Sequence, residues 1–177
     1  MKNTILTIAV FVTTLISSLQ LTAQEFKSLD KSPMDMAAFP SSHKISDKIV
    51  KVIYSRPQLK GRYLVKLAPP EKVWRTGANE AVEIIFYKDV IFGGKALKAG
   101  TYSLFTIPSL EGDWTVIINS ARNVWGSYYY KQGQDVIRVS GKTTKTEENI
   151  EAFSMMFDKD MTLKMGWGKT VISVSIK

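Results

Sequence analysis

Residues 48–55 read KIVKVIYS. Val50, Val52 and Tyr54 fall on one side of an extended chain and Ile49, Lys51 and Ile53 on the other, which is the two-residue period of a β-strand. Pro57 closes the stretch, because proline has no N–H for a strand ladder and holds Arg56 extended. The same period recurs downstream. Val82, Ile84 and Phe86 oppose Glu83, Ile85 and Tyr87, and Tyr102 and Leu104 in TYSLFTIP alternate with Phe105 and Ile107. WTVIIN sets Trp114, Val116 and Ile118 on one side. Further strands are expected over 135–142, 151–158, 161–167 and 170–176, with Met161, Leu163, Met165 and Trp167 forming one apolar stripe. Gly93-Gly94 has the composition of a tight hairpin turn.

About eight such segments, separated by Gly, Asp and Asn and without a long amphipathic helix, predict an all-β fold. The expected architecture is an antiparallel β-sandwich, or flattened barrel, with little helix. Ile84, Phe86, Leu104, Trp114, Val116, Leu163 and Met165 are expected in the core. Short helical turns are expected near Met34–Phe39, over 120–125 and around Thr146–Ile150. The polar stretch 24–47, with Pro33, Pro40 and Ser41-Ser42, reads as an irregular lead-in to a single domain over 48–177.

Residues 1–23 read as a signal peptide: Lys2, an apolar run from Ile5 to Leu19, then Leu21-Thr22-Ala23 as the processing site. The run is shorter than the ~20 apolar residues a bilayer crossing needs. An exported chain is therefore expected, periplasmic or extracellular, cleaved after Ala23 and not membrane-spanning once the leader is removed. The sequence has no cysteine, which excludes disulfides, thiolate nucleophiles and thiolate–zinc sites. The formal net charge of +8 favours anionic partners weakly. Nucleic acid is not expected, since the lysines are scattered and no reading helix or RNA-binding aromatic motif occurs.

His43 is the only histidine and lies in the lead-in, so neither a Ser-His-Asp triad nor a multi-ligand zinc site is expected. No catalytic residue, metal or cofactor is assigned. Two motifs remain distinctive, YSRPQLKGR (54–62) and KVWRTGANEA (72–81). Arg56, Arg62 and Arg75 can each fork onto a carboxylate or phosphate. Tyr54 and Trp74 offer flat faces for a ring, and Asn79 adds an amide. Gly77 suits a turn. The candidate ligand-binding set is Arg56, Arg62, Tyr54, Trp74 and Asn79, with Arg75 and Glu80 as a structural ion pair.

These motifs, with SPMDMAAFP (32–40), GGKALKAGTYSLFTIP (93–108) and the WTVIIN strand, resemble an exported bacterial family known as domain of unknown function 2911, most familiar from Gram-negative bacteria. The resemblance covers nearly all of the chain after the leader. It departs at YLVKLAPPEK (63–72), where family members carry a phenylalanine- and glycine-containing phrase ending in PYG. It implies export and no established activity. The expected function is a non-catalytic, exported β-sandwich that binds a small anionic or carbohydrate-like ligand or an envelope component. A hydrolytic, carbohydrate-active enzyme using Glu80 with a second carboxylate is the alternative, and a structural or protein-interaction module of the envelope is a third. The burial of Trp74, Arg75 and Glu80 separates these readings.

Overall fold

A computed structural model describes residues 26–177, so the expected leader, residues 1–23, lies outside the described residues. The chain divides into two units, residues 1–30 and 31–177. Of the first, residues 26–30 are described and carry no regular secondary structure. The second is a nearly all-β domain of nine strands: β1 (Met34–Phe39), β2 (Val50–Ser55), β3 (Val82–Phe86), β4 (Val90–Phe92), β5 (Lys95–Leu97), β6 (Gly100–Ile107), β7 (Trp114–Asn119), β8 (Asp135–Phe157) and β9 (Thr162–Ser175). One short helix, α1 (Leu64–Leu67), and a 3-10 turn at Gln132–Gln134 complete it.

Seven strands form one curled sheet in the order β1-β2-β3-β6-β7-β8-β9. Every neighbouring pair is antiparallel. The β4–β5 hairpin turns at Gly93 and Gly94, both with positive φ, and is tied to the end of β9 through Ile91 and Lys177. The two last strands are long. The first part of β8 pairs with β7, while its second part, with β9, leaves the sheet and folds back over its inner face. There Phe153 N–H donates to the Pro57 carbonyl at 2.9 Å and Leu59 N–H to that of Glu151 at 3.0 Å. The result is a sandwich or half-barrel.

The core lies between these layers, and the seven residues expected there are all buried. The period-two pattern therefore identified the inward face of each central strand. Three local expectations are corrected. The lead-in contains a strand rather than a helical turn: β1 pairs with β2 from Met34↔Ser55 to Phe39↔Val50. It is an edge strand that packs Ala37 and Phe39 on the core while Met34 and Met36 face water, so it lacks a strong apolar signal. Residues 146–150 lie within β8, at a bulge between the pairs Lys145↔Thr170 and Ile150↔Gly168. Residues 120–125 are a loop, because their backbone groups bond to Asn119 and to the 72–81 segment instead of to one another.

The opposite face of the sheet carries a second, smaller core. Phe105 and Ile117 point away from the main core, alternating with Leu104 and Ile118, and are covered by Ala81, Val73, Val124 and Tyr130. These covering residues come from two loops, 72–81 and 120–131. Among the described residues, no helix is long and apolar enough to cross a membrane.

Candidate functional site

The KVWRTGANEA stretch is anchored by its tryptophan. Trp74 is buried, stacked on Trp167 at 5.4 Å with a 14° interplanar angle, and meets Trp114 and Phe153 edge-on. It forms a one-rung bridge with Thr106, Trp74 N–H donating to the Thr106 carbonyl at 2.7 Å. Its ring is thus part of the core and not a platform for a ligand. The chain then turns through Thr76 and Asn79, both with positive φ. Thr76 is fully buried and donates its hydroxyl to Thr106 Oγ1 at 3.1 Å, a bond that helps hold a β-branched residue in that region. Gly77 has no positive φ. It is glycine because a Cβ there would lie 3.0 Å from the Ser55 carbonyl oxygen, so close approach of two backbones and not turn geometry requires it.

The expected Arg75–Glu80 pair does not form: no ion pair among the described residues joins them, and Glu80 is exposed. Arg75 is half-buried beneath the neighbouring loop, its guanidinium close to Gly126, and its Nε is buried without a hydrogen-bond partner. The two residues separate because Glu80 is drawn into a bridge with Trp125. Asn79 uses its backbone carbonyl, which accepts the Gly126 N–H at 2.9 Å, and its side chain makes no hydrogen bond among the described residues.

The arginines of the other motif are bound within the protein. Arg56 donates from Nε to the Phe153 carbonyl (3.0 Å), from Nη2 to Ser154 Oγ (2.7 Å) and from Nη1 to Asp35 (3.1 Å). Arg62 donates to the carbonyls of Leu59 (2.9 Å) and Gln58 (2.7 Å), closing its own loop. Tyr54 is buried edge-on against Phe153, and its hydroxyl accepts the Met155 N–H at 2.9 Å. Burial holds the Tyr54 hydroxyl above its ordinary pKa. Arg56, Arg62, Tyr54 and Trp74 therefore do not assemble into an anion site. The sheet curls so that Arg56 and Tyr54 meet the returning part of β8.

What the loops do build is a cleft on the outer face of the sheet. Paired strand residues project to the same side, and the register aligns Ile53, Glu83, Ser103, Asn119 and Asp135 in one row. Asn119 and Asp135 anchor the 120–131 loop. Asn119 Nδ2 donates to Asp135 at 2.8 Å, and Asp135 also accepts the Tyr130 hydroxyl at 2.6 Å and pairs with Arg138 Nε at 3.0 Å. Burial, then the Asp135 carboxylate, pushes Tyr130 up to about 12. Held this way, the loop pairs with the 72–81 segment through Ala81 N–H to the Val124 carbonyl and through the Glu80–Trp125 bridge.

Beside this junction lies a cleft of about 220 Å³, with Ile53, Glu83 and Ser103 on its floor and Glu80, Asn123 and Met34 around it. Among the described residues neither glutamate carboxylate has an ion-pair or hydrogen-bond partner, and the Asn123 side-chain amide is unbonded. Lys51, on the same face, sits over the Tyr87 ring at 6.0 Å and not on Glu83. Trp125 is 55% exposed and, as the bridge partner of Glu80, projects to the same side. Tyr128 and Tyr129 are exposed on the same loop. No group of three or more His, Asp or Glu residues placed to hold a metal ion occurs among the described residues.

Sequence reasoning missed Glu83, Asn123 and Trp125. The signal for Trp125 was the aromatic density of VWGSYYY (124–130), which no strand pattern explains. The chain belongs to the family described as "Protein of unknown function (DUF2911)", whose match spans residues 32–176 and so includes both loops. No curated protein and no solved structure matches it.

Proposed function

We propose that this family member is an exported, non-catalytic binding protein that takes a carbohydrate-like, polyhydroxylated ligand in the outer-face cleft. The observation that carries this reading is the convergence of two unpaired carboxylates, Glu80 and Glu83, with the free Asn123 amide beside an exposed Trp125. Carboxylates accept hydrogen bonds from hydroxyl groups, the amide donates and accepts, and an indole face packs on the C–H face of a sugar ring. The charge of the cleft disfavours the anionic class of ligand here. Export is supported by the leader pattern of residues 1–23 and by the absence of cysteine, which leaves no thiol to oxidise.

Trp74, Trp114 and Trp167 are buried, so a fluorescence change caused by an added saccharide reports mainly on Trp125. Titration with neutral disaccharides (cellobiose, maltose and diacetylchitobiose) should show saturable binding by at least one. Glu83→Gln, followed by fluorescence, and Trp125→Ala, followed by calorimetry because it removes the reporter, should each weaken it about tenfold, ~1.4 kcal/mol. Absence of binding by all three, or binding indifferent to both substitutions, removes the proposal. Release of reducing sugar that depends on Glu80 and Glu83 would replace it with the hydrolytic reading.

A further inference from the structure

The motif SPMDMAAFP supplies only Met34 to the cleft, yet it sets two methionines in water: Met34 is 65% exposed and Met36 59%. They stand two residues apart in β1, so both project to one side of the sheet. That side is the outer face, because Met36 pairs with Ile53, a residue of the cleft floor. A rise of about 3.3 Å per residue sets their Cβ atoms roughly 7 Å apart. A methionine side chain has three rotatable bonds, so both sulfurs can reach one ion held between them. Asp35, between the two in sequence, projects to the other side, where its carboxylate accepts from Arg56 Nη1 at 3.1 Å. The strand thus presents two thioethers together and withdraws its own carboxylate from them.

We propose that Met34 and Met36 bind a soft monovalent cation, Cu(I), through their two thioether sulfurs. Ligand softness selects the metal: thioethers suit Cu(I), whereas calcium and magnesium take oxygen ligands. The chain has no cysteine, so no thiolate competes with these sulfurs. The surrounding charge favours a cation. Glu80 and Glu83 have no ion-pair partner among the described residues and face the cleft that Met34 borders, which makes this side of a basic protein locally negative. Met156, also exposed, provides an internal comparison, since Ser154 and Asp158 are the residues two positions away from it and neither is a methionine. The site goes beyond the sugar-binding reading and does not rest on it, because Met36 does not line the saccharide cleft.

Titration with Ag(I), a redox-inert stand-in for Cu(I), in chloride-free buffer tests the site, followed by carbon NMR of labelled methionine methyl groups. The Met34 and Met36 signals should shift together and saturate at one ion per chain, while those of the buried Met155 and Met165 stay in place. Cu(I) supplied without oxygen should shift the same two signals, and calcium should shift neither. Met34→Leu and Met36→Leu nearly conserve volume at exposed positions, so both variants should fold, which circular dichroism verifies. Each should weaken Ag(I) binding at least about tenfold, and Met156→Leu should leave it unchanged. Saccharide binding should survive Met36→Leu, so failure of the metal site and failure of the sugar reading are told apart. Equal shifts at Met156, Met34 and Met36, or Ag(I) affinity unchanged by either Met34→Leu or Met36→Leu, would overturn the proposal.

Discussion

Truncating Arg56 to alanine tests which arginine of the two motifs staples the fold. Its guanidinium reaches the Phe153 carbonyl, Ser154 Oγ and Asp35, and so ties the edge strand β1 to the part of β8 that folds over the core. The ion pair contributes little: its side chains are 35% and 40% exposed, and pairs in contact with water are worth ~0–1 kcal/mol. The two bonds to β8 matter more. A charge-assisted bond contributes ~1.5–3 kcal/mol, and partial exposure of Arg56 places these toward the lower end. Phe153 is buried, so its carbonyl would lose a donor that water replaces poorly. The sum is a destabilisation of ~2–4 kcal/mol. Urea unfolding followed by the fluorescence of the buried tryptophans measures it.

The comparison that gives the number meaning is Arg75→Ala. Arg75 Nε has no partner to lose, so its removal should cost less than ~1 kcal/mol, the packing of its aliphatic stem. Arg56→Lys keeps the charge but not the fork and should recover less than half of the loss. A larger cost at Arg75 than at Arg56 would refute the assignment of Arg56 as the staple.

Gly77→Ala places a methyl 3.0 Å from the Ser55 carbonyl oxygen and should destabilise by ~1–3 kcal/mol; a melting temperature equal to the parent's would mean the backbones do not approach as described. Tyr130 is raised from 10.0 to about 12, so its stabilising contribution is complete below pH 10 and is lost as pH rises through about 12. Phenolate absorbance should therefore show a late-titrating tyrosine that is absent in Tyr130→Phe, and a titration complete near pH 10 would contradict its packing against Asp135. Mass spectrometry of the exported protein should find Gln24 at the N-terminus, whereas an intact Met1 in a membrane fraction would overturn cleavage after Ala23.

The strand faces were legible because burial in a sheet leaves a local trace: Ile84, Leu104 and Val116 alternate with more exposed or loop-covered neighbours over a few residues. The roles of the motif residues were not, because their partners are remote in sequence. Arg56 bonds to Phe153, 97 residues away, and Tyr54 to Met155, 101 residues away. Local composition can identify a fork-shaped cation or a flat ring, but not what will stack on it. Trp74 accordingly looked available and is buried under Trp167. Trp125 lay in a stretch expected to be helical and is exposed. Its orientation depends on the Asn119–Asp135–Tyr130 network, whose members look like ordinary turn and strand-end residues when read in order.

Glu83 is the residue this leaves without a structural account. It sits within β3, flanked by β2 and β6, across from Ile53 on one side and Ser103 on the other. Glutamate is a poor strand former, and its neighbours along the strand, Val82 and Ile84, are fully in the core. A carboxylate there would be understandable if it paired with a cation. It does not, and Lys51 on the same face is placed over Tyr87 instead. A residue that breaks local preference without compensation within the fold marks a position shaped by something outside it. The loops 72–81 and 120–131 cover the apolar end of this face, over Phe105 and Ile117, and stop short of Glu83. Glu83→Ile should then stabilise the domain, since it extends the apolar row begun by Ile53, while abolishing saccharide binding. A destabilised Glu83→Ile variant would mean that the carboxylate serves the fold after all.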